Sequence, residues 1–144
     1  ATPLHVAVEE KNIELVKFLI NNGAGVNAKG RKEATPLHVA VEEKNIELVK
    51  LLIENGADVN VEDKDEKTPL REAVEKNNIE LVKLLIKNGA NVNAKASHYF
   101  ITPLHVAVWD NNIKLVKLLL ENGADVNVEN KDKKTPLREA ERHY

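Results

Sequence analysis

The 144-residue chain has no cysteine and no methionine, and only five of its residues are aromatic. Without thiols there is no disulfide framework, no thiolate nucleophile and no thiolate metal site, and cysteine usage gives no reading of redox compartment. A first residue other than Met is expected of a chain that begins mid-protein, after processing or by design. No apolar run approaches the ~18–20 residues of a membrane span, and the first residues show no signal-peptide pattern. The expectation is a soluble protein of cytoplasmic type. A formal charge of −2 lacks the basic excess of a general nucleic-acid binder. No Ser/His/Asp grouping sits beside a glycine elbow, and no glycine-rich loop precedes a helix in phosphate-binding or dinucleotide form. Catalysis has no foothold, and no catalytic, cofactor or metal residue is expected.

What is present is ordinary in composition, with 42% hydrophobic and 31% charged residues, enough for one domain with a sizeable core. Lysine outnumbers arginine 17 to 4 and asparagine also reaches 17, a bias of AT-rich genomes that bears only on the ancestry of the scaffold. The organisation is repetitive. Thr-Pro-Leu begins at Thr2, Thr35, Thr68, Thr102 and Thr135, at spacings of 33, 33, 34 and 33. Each of the first four copies continues through Asn-Ile (Asn12, Asn45, Asn78, Asn112) and closes on Asn-Gly-Ala and Val-Asn; the fifth stops at Tyr144.

One unit can be read physically. Thr2 is an N-cap and Pro3 takes N1, where its missing N–H is harmless and its φ already helical. Leu4, Ala7 and Val8 make a narrow apolar stripe on a short helix. Small Ala7, Ala40, Ala73, Ala107 and Ala140 allow neighbouring helices to approach closely. Asn12 caps a second helix whose Ile13, Val16, Leu19 and Ile20 form the buried face, with Glu14 and Lys17 in water. Phe18, in one column with Leu51, Leu84 and Leu118, is expected in the core. Gly23 ends the helix in the left-handed C′ position. Residues 26–33 then form an extended polar finger leading to the next Thr-Pro. Such a pair of helices cannot bury its apolar face alone, so copies must stack.

Thr-Pro-Leu-His-Val-Ala-Val, Glu-Leu-Val-Lys-Leu-Leu and Asn-Gly-Ala-Asp-Val-Asn at this period resemble the ankyrin repeat over essentially the whole chain. The resemblance implies an all-α fold: an ankyrin-repeat α-solenoid of helix-turn-helix units with short β-hairpin fingers, in four repeats plus a C-terminal half repeat. Residues 1–144 are expected to form a single ankyrin repeat domain, with repeats at approximately 2–34, 35–67, 68–101 and 102–134 and the half repeat at 135–144. Members bind other proteins through fingertips and the exposed surface of the first helices, and are not enzymes as a class. The implied partner is another protein, with no nucleic acid, membrane or small-molecule substrate.

Several positions depart from the family pattern. The fingertip glycine is Glu33, Glu66, Phe100 and Lys133, and the inter-helix glycine is Lys11, Lys44, Asn77 and Asn111. Asn tolerates the left-handed conformation well and Lys at some cost. The family's histidine (His5, His38, His105) becomes Arg71 and Arg138. The first unit has no polar capping face, whereas Glu139 and Glu141 replace valines in a polar terminal cap.

His5, His38 and His105 recur in register, but packed helices lie about 8–10 Å apart and metal–nitrogen bonds need about 2.0–2.1 Å. Hydrogen bonds to the unit's own Thr or to backbone are their expected role. His98, on a finger, has no second ligand nearby at metal spacing. Glu9, Glu10, Glu42, Glu43 and Glu75 read as a solvated face.

The repetition breaks at residues 94–110, which hold Tyr99, Phe100 and Trp109. Trp109 shares a column with Glu9, Glu42, Glu75 and Arg142 and is therefore expected to be exposed. His98, Tyr99, Phe100 and Ile101 stand where other fingertips carry Arg31-Lys32-Glu33-Ala34 or Lys64-Asp65-Glu66-Lys67. Exchange of charges for aromatics is the shift seen at interface cores. Three large aromatics burying about 150–250 Å² each supply much of the roughly 800 Å² per partner of a standard interface. The expected protein-binding residues are His98, Tyr99, Phe100, Ile101, Trp109, Asp110 and Asn111, with Glu75 and Lys76 before them and Arg142 and His143 after, Arg142 within reach of the indole. Packing of Trp109 on Tyr99 within the molecule is the competing reading, and the direction of Phe100 is open.

The altered positions resemble those varied in designed ankyrin binders. With near-identical units and neither Cys nor Met, they suggest an engineered binder using the fourth finger and fourth first-helix. The one-residue insertion between Asn93 and Thr102 runs against a constant-period library. The alternatives are an ankyrin fragment of an intracellular bacterial effector bound to a host protein, or an idealised scaffold that self-associates through its uncapped first unit.

Overall fold

The structure is a computed structural model that describes residues 1–96 and 99–137. Ser97, His98 and residues 138–144 fall outside it, and with them the expectations placed on His98, Arg138, Glu139, Ala140, Glu141, Arg142 and His143.

Among the described residues eight α-helices form four antiparallel pairs: α1 (Pro3–Glu9) with α2 (Ile13–Asn21), α3 (Pro36–Glu42) with α4 (Ile46–Glu54), α5 (Pro69–Glu75) with α6 (Ile79–Lys87), and α7 (Pro103–Trp109) with α8 (Ile113–Glu121). The first helices stand side by side, α1 against α3, α3 against α5 and α5 against α7, and α6 packs on α8 in the second layer. The architecture is the helical solenoid that the repeats imply. Among the described residues no helix is long and apolar enough to cross a membrane.

Local chemistry sets the helix boundaries. Thr2, Thr35, Thr68 and Thr102 accept the N3 backbone N–H with Pro at N1, and Asn12, Asn45, Asn78 and Asn112 accept the N–H of the leucine three residues on. Lys11, Lys44, Asn77 and Asn111 take φ of 59°, 57°, 56° and 54° between the helices, so the positions where glycine is missing do adopt the left-handed turn. Ala7, Ala40, Ala73 and Ala107 are all buried, which lets the first helices close on one another.

The second helices bury one column more than the helical stripe suggested. Leu48, Leu81 and Leu115 are fully buried, each contributing about 1.5–3 kcal/mol by leaving water. Their counterpart Leu15 is 40% exposed, and Phe18, expected in the core, is 64% exposed. The difference is positional: in later units both columns face the preceding unit, and α1 with α2 is the first pair described. Val6, 48% exposed against 5% for Val106, belongs to the same apolar face.

The fingers differ from the β-hairpins expected of them. Among the described residues none forms a strand, and the one bridge joins Ala96 to Ile101. In the other fingers a single ladder bond closes a five-residue loop, as from the Gly30 N–H to the Ala34 carbonyl (2.7 Å), the Asp63 N–H to Lys67 (3.0 Å) and the Asn130 N–H to Lys134 (2.8 Å). The extra residue of the fourth finger (the finger leading into Thr102) permits a reciprocal pair, Ala96 N–H to Ile101 carbonyl at 2.7 Å and the reverse at 3.3 Å.

Two sets of side-chain bonds tie units to their successors. Asn27 donates to the Gly56 carbonyl and accepts from the Asp58 N–H; Asn60 and Asn93 repeat this with Gly89 and Asn91, and with Gly123 and Asp125. The second set is buried. His5 Nδ1 lies 3.2 Å from the Thr2 N–H and 2.7 Å from Thr2 Oγ1, while Nε2 lies 2.8 Å from the carbonyl of Ala34 in the next finger. His38 bridges Thr35 and Lys67, and His105 bridges Thr102 and Lys134, in the same way. A backbone N–H only donates and a carbonyl only accepts, so each ring is a neutral imidazole with the proton on Nε2.

Burial pushes the His38 imidazole below its ordinary 6.5, against the opposing pull of the Lys67 carbonyl and the Asp63 carboxylate. A base with a depressed folded pKa binds fewer protons than in the unfolded chain. Its contribution is complete above the unfolded value and lost as pH falls below about 6.5. Thermal midpoints of the wild-type protein should therefore drop between pH 7 and pH 5, and His38→Gln, already less stable at pH 7, should show a shallower drop over the same window.

Candidate protein-binding surface

The exceptional fingertip is placed by the third unit as much as by the fourth. Where the other described units have a histidine reaching the next finger, the third has Arg71 on α5. A guanidinium offers donors only, so it cannot accept the Thr68 N–H as the imidazole of the other units does for Thr2, Thr35 and Thr102. The Ile101 carbonyl, counterpart of Ala34, Lys67 and Lys134, accepts only from Ala96 among the described residues. Asp63 and Asn130 also brace their fingers by accepting two N–H groups each; Ala96 has no side chain to do so. The fourth finger is thus held by its own reciprocal pair and by the Tyr99 carbonyl, which accepts the Lys131 N–H of the fifth finger at 2.8 Å.

The aromatic residues do not behave alike. Tyr99 is 61% exposed with Lys131 Nζ 5.3 Å from its ring centroid, and Phe100 is 49% exposed with Lys95 Nζ at 5.8 Å. Each cation sits over a ring face, where the quadrupole attracts it. The direction of Phe100 is thereby settled: φ of 54° turns it outward in the left-handed conformation shared with Glu33, Glu66 and Lys133. Trp109 departs from expectation. It is half-buried rather than exposed, tilted at 45° on His105 with ring centroids 6.2 Å apart and packed against the core. Charged residues of this column lie along the groove too: Glu75 itself is half-buried beside Lys67 (3.3 Å) and Arg71 (3.6 Å). Ile101 is a second correction, since at 9% exposure it belongs to the core, turned inward by its bridge to Ala96.

Asp110 and Asn111 are exposed where α7 ends, and Lys76 is exposed beside Glu72 (4.0 Å). Burial, then the neighbouring Glu75, raises the Glu72 carboxyl above its usual range.

Two cavities of about 320 Å³ each flank the fourth finger. Lys64, Asp65, Glu66 and Lys67 of the third finger line one, Trp109, Asn130, Lys131 and Asp132 the other, and Arg71, Tyr99 and Ile101 line both. The structure therefore brings Tyr99, Ile101 and Trp109 together around a residue that was not among the expected binding residues. Its signal was the replacement of histidine at position 71, visible in the sequence but read there as a departure from pattern. Among the described residues no group of three His, Asp or Glu side chains is placed to hold a metal ion.

The family model described as ankyrin repeats (3 copies) matches residues 1–63 and 37–130. The chain belongs to the ankyrin repeat family. No curated protein matches it. Ankyrin repeats are protein–protein interaction modules and typically not catalytic. In this ankyrin chain Arg71→His should restore the missing relay to the Ile101 carbonyl. The gain of one buried hydrogen bond is worth about 0.5–1.5 kcal/mol, against loss of a partly exposed ion pair worth about 0–1. Chemical denaturation should show equal or greater stability for the variant.

Proposed function

We propose that residues 1–144 form one ankyrin domain of four repeats and a half whose role is recognition of another protein. The groove between the third, fourth and fifth fingers is its contact surface. The observation that supports this reading is the exposure of Tyr99 and Phe100 beside a half-buried Trp109, around two adjoining cavities where other fingers carry charges. Large amphipathic rings at a polar rim are the composition of binding hot spots. Tyr99, Phe100 and Trp109 form the centre; Asp110, Asn111, Glu75 and Lys76 form the rim, with His98, Arg142 and His143 assigned by sequence alone. Ile101 shapes the floor from the core side. Near-identical units with aromatic exchange confined to one finger and one helix end fit an engineered binder. A fragment of a bacterial effector would use the same surface.

With a captured partner in hand, Tyr99→Ala and Trp109→Ala should each weaken binding by about 2 kcal/mol or more. Tyr99→Ala should leave stability within about 0.5 kcal/mol, whereas Trp109→Ala, which uncovers His105, should cost about 1. Unchanged affinity in both variants would remove this surface from consideration.

A second reading rests on the exposed apolar face formed by Val6, Leu15 and Phe18. An end-on contact with another copy would cover it. Light scattering at rising concentration that shows only monomer overturns self-association.

A further inference from the structure

We infer that the groove recognises an aspartate or glutamate side chain of the partner, bound by Arg71 beneath Tyr99. The inference rests on the groove being the contact surface, and it names the chemistry at its centre.

Arg71 is the residue common to both cavities that carries charge. Its side chain is 17% exposed, and Nε is buried without a hydrogen bond. Its one ion pair, to Glu75 Oε1, is 3.6 Å long, beyond hydrogen-bond distance. Among the described residues no acceptor takes a hydrogen bond from the guanidinium. A buried Nε donor without an acceptor is costly to leave so, and the planar fork it belongs to is matched by a carboxylate. Charge selects the same ligand. Lys67 and Arg71 share the single carboxylate of Glu75, leaving one net positive charge. Lys64 and Lys131 at the two rims are outnumbered by Asp65, Glu66 and Asp132, so the positive charge is confined to the Lys67, Arg71 and Glu75 cluster and the acidic rims disfavour a dianion. One monovalent carboxylate neutralises the cluster; a phosphate would overcharge it.

The apolar wall completes the description. Tyr99 and Ile101 line both cavities together with Arg71, and Trp109 lines one of them. The recognised carboxylate should therefore stand next to an apolar or aromatic residue of the partner. The same substitution that gave up the histidine relay placed the donor here, and the finger that lost the relay carries the tyrosine.

A random peptide library displayed on phage, selected against the whole protein, supplies the probe. Peptides that bind the groove should share an Asp or Glu beside an apolar residue. Changing that acid to Asn or Gln should weaken binding at least tenfold, and Arg71→Gln should weaken the parent peptide as much, with no further loss when both changes are combined. Arg71→His, whose residue three other units already accommodate, should keep the fold and the thermal midpoint yet lose the same affinity. If Tyr99→Ala and Trp109→Ala abolish binding while Arg71→Gln and Arg71→His retain it, the carboxylate inference is wrong and the surface stands. If the aromatic variants also bind normally, or the library yields no groove-binding peptide, the surface fails and this inference with it.

Discussion

The stack depends on a neutral imidazole. In three of the four helix pairs a buried histidine accepts from its own unit's threonine through Nδ1 and donates through Nε2 to the last carbonyl of the next finger, 29 residues away. This bond does more than cap a helix. It sets the angle at which the finger leaves the stack and satisfies a carbonyl that the short finger loop cannot pair twice. Apolar burial supplies most of the energy, through Leu37, Leu48, Leu70, Leu81, Leu104 and their neighbours, but burial is indifferent to small sliding. The polar relay is directional and so specifies register.

Seen this way, the third unit is an exchange of one function for another. Arg71 cannot make the relay, and the finger beyond it compensates with one more residue and a second ladder bond between Ala96 and Ile101. What the molecule gains is a finger fastened along its own length rather than to the helix behind it, with Tyr99 and Phe100 at its tip. The guanidinium that would have been a tether lies instead in the groove floor. A repeat array ordinarily distributes its surface evenly; here the local failure of one inter-unit bond concentrates aromatic area and unused donors in one place.

Much of the fold was legible from the sequence because the signals are local and repeated. Thr-Pro starts, Asn caps, the helix-ending glycines and the alanine column act within one turn of chain, and a period of 33 shows them four times over. The errors share a cause as well. Phe18 reads as core because its column is otherwise leucine, yet that column is only half-buried at Leu51, Leu84 and Leu118, each of which faces a preceding unit. Trp109 reads as exposed because Glu9 and Glu42 are exposed, but a tryptophan can fold back over His105 where a glutamate reaches for water. Ile101 reads as part of the fingertip because a single inserted residue hides which side of the loop it closes. Arg71 reads only as a departure from the family's histidine, since the partner of that histidine lies a full unit away and no local pattern reveals the bond. Periodicity gives the frame; the ends, the insertion and the contacts between units decide the site.

Loss of the histidine relay releases the fourth finger from the helix behind it. Amide hydrogen exchange under native conditions tests it at matched positions. The N–H groups of Gly30, Asp63 and Ala96 each donate to the last carbonyl of their finger, and only the first two of those carbonyls also receive an imidazole. The Ala96 amide should exchange markedly faster than those of Gly30 and Asp63, and Arg71→His should slow it toward theirs. Equal protection at all three positions in the wild-type protein, or no change at Ala96 in the variant, would contradict the account.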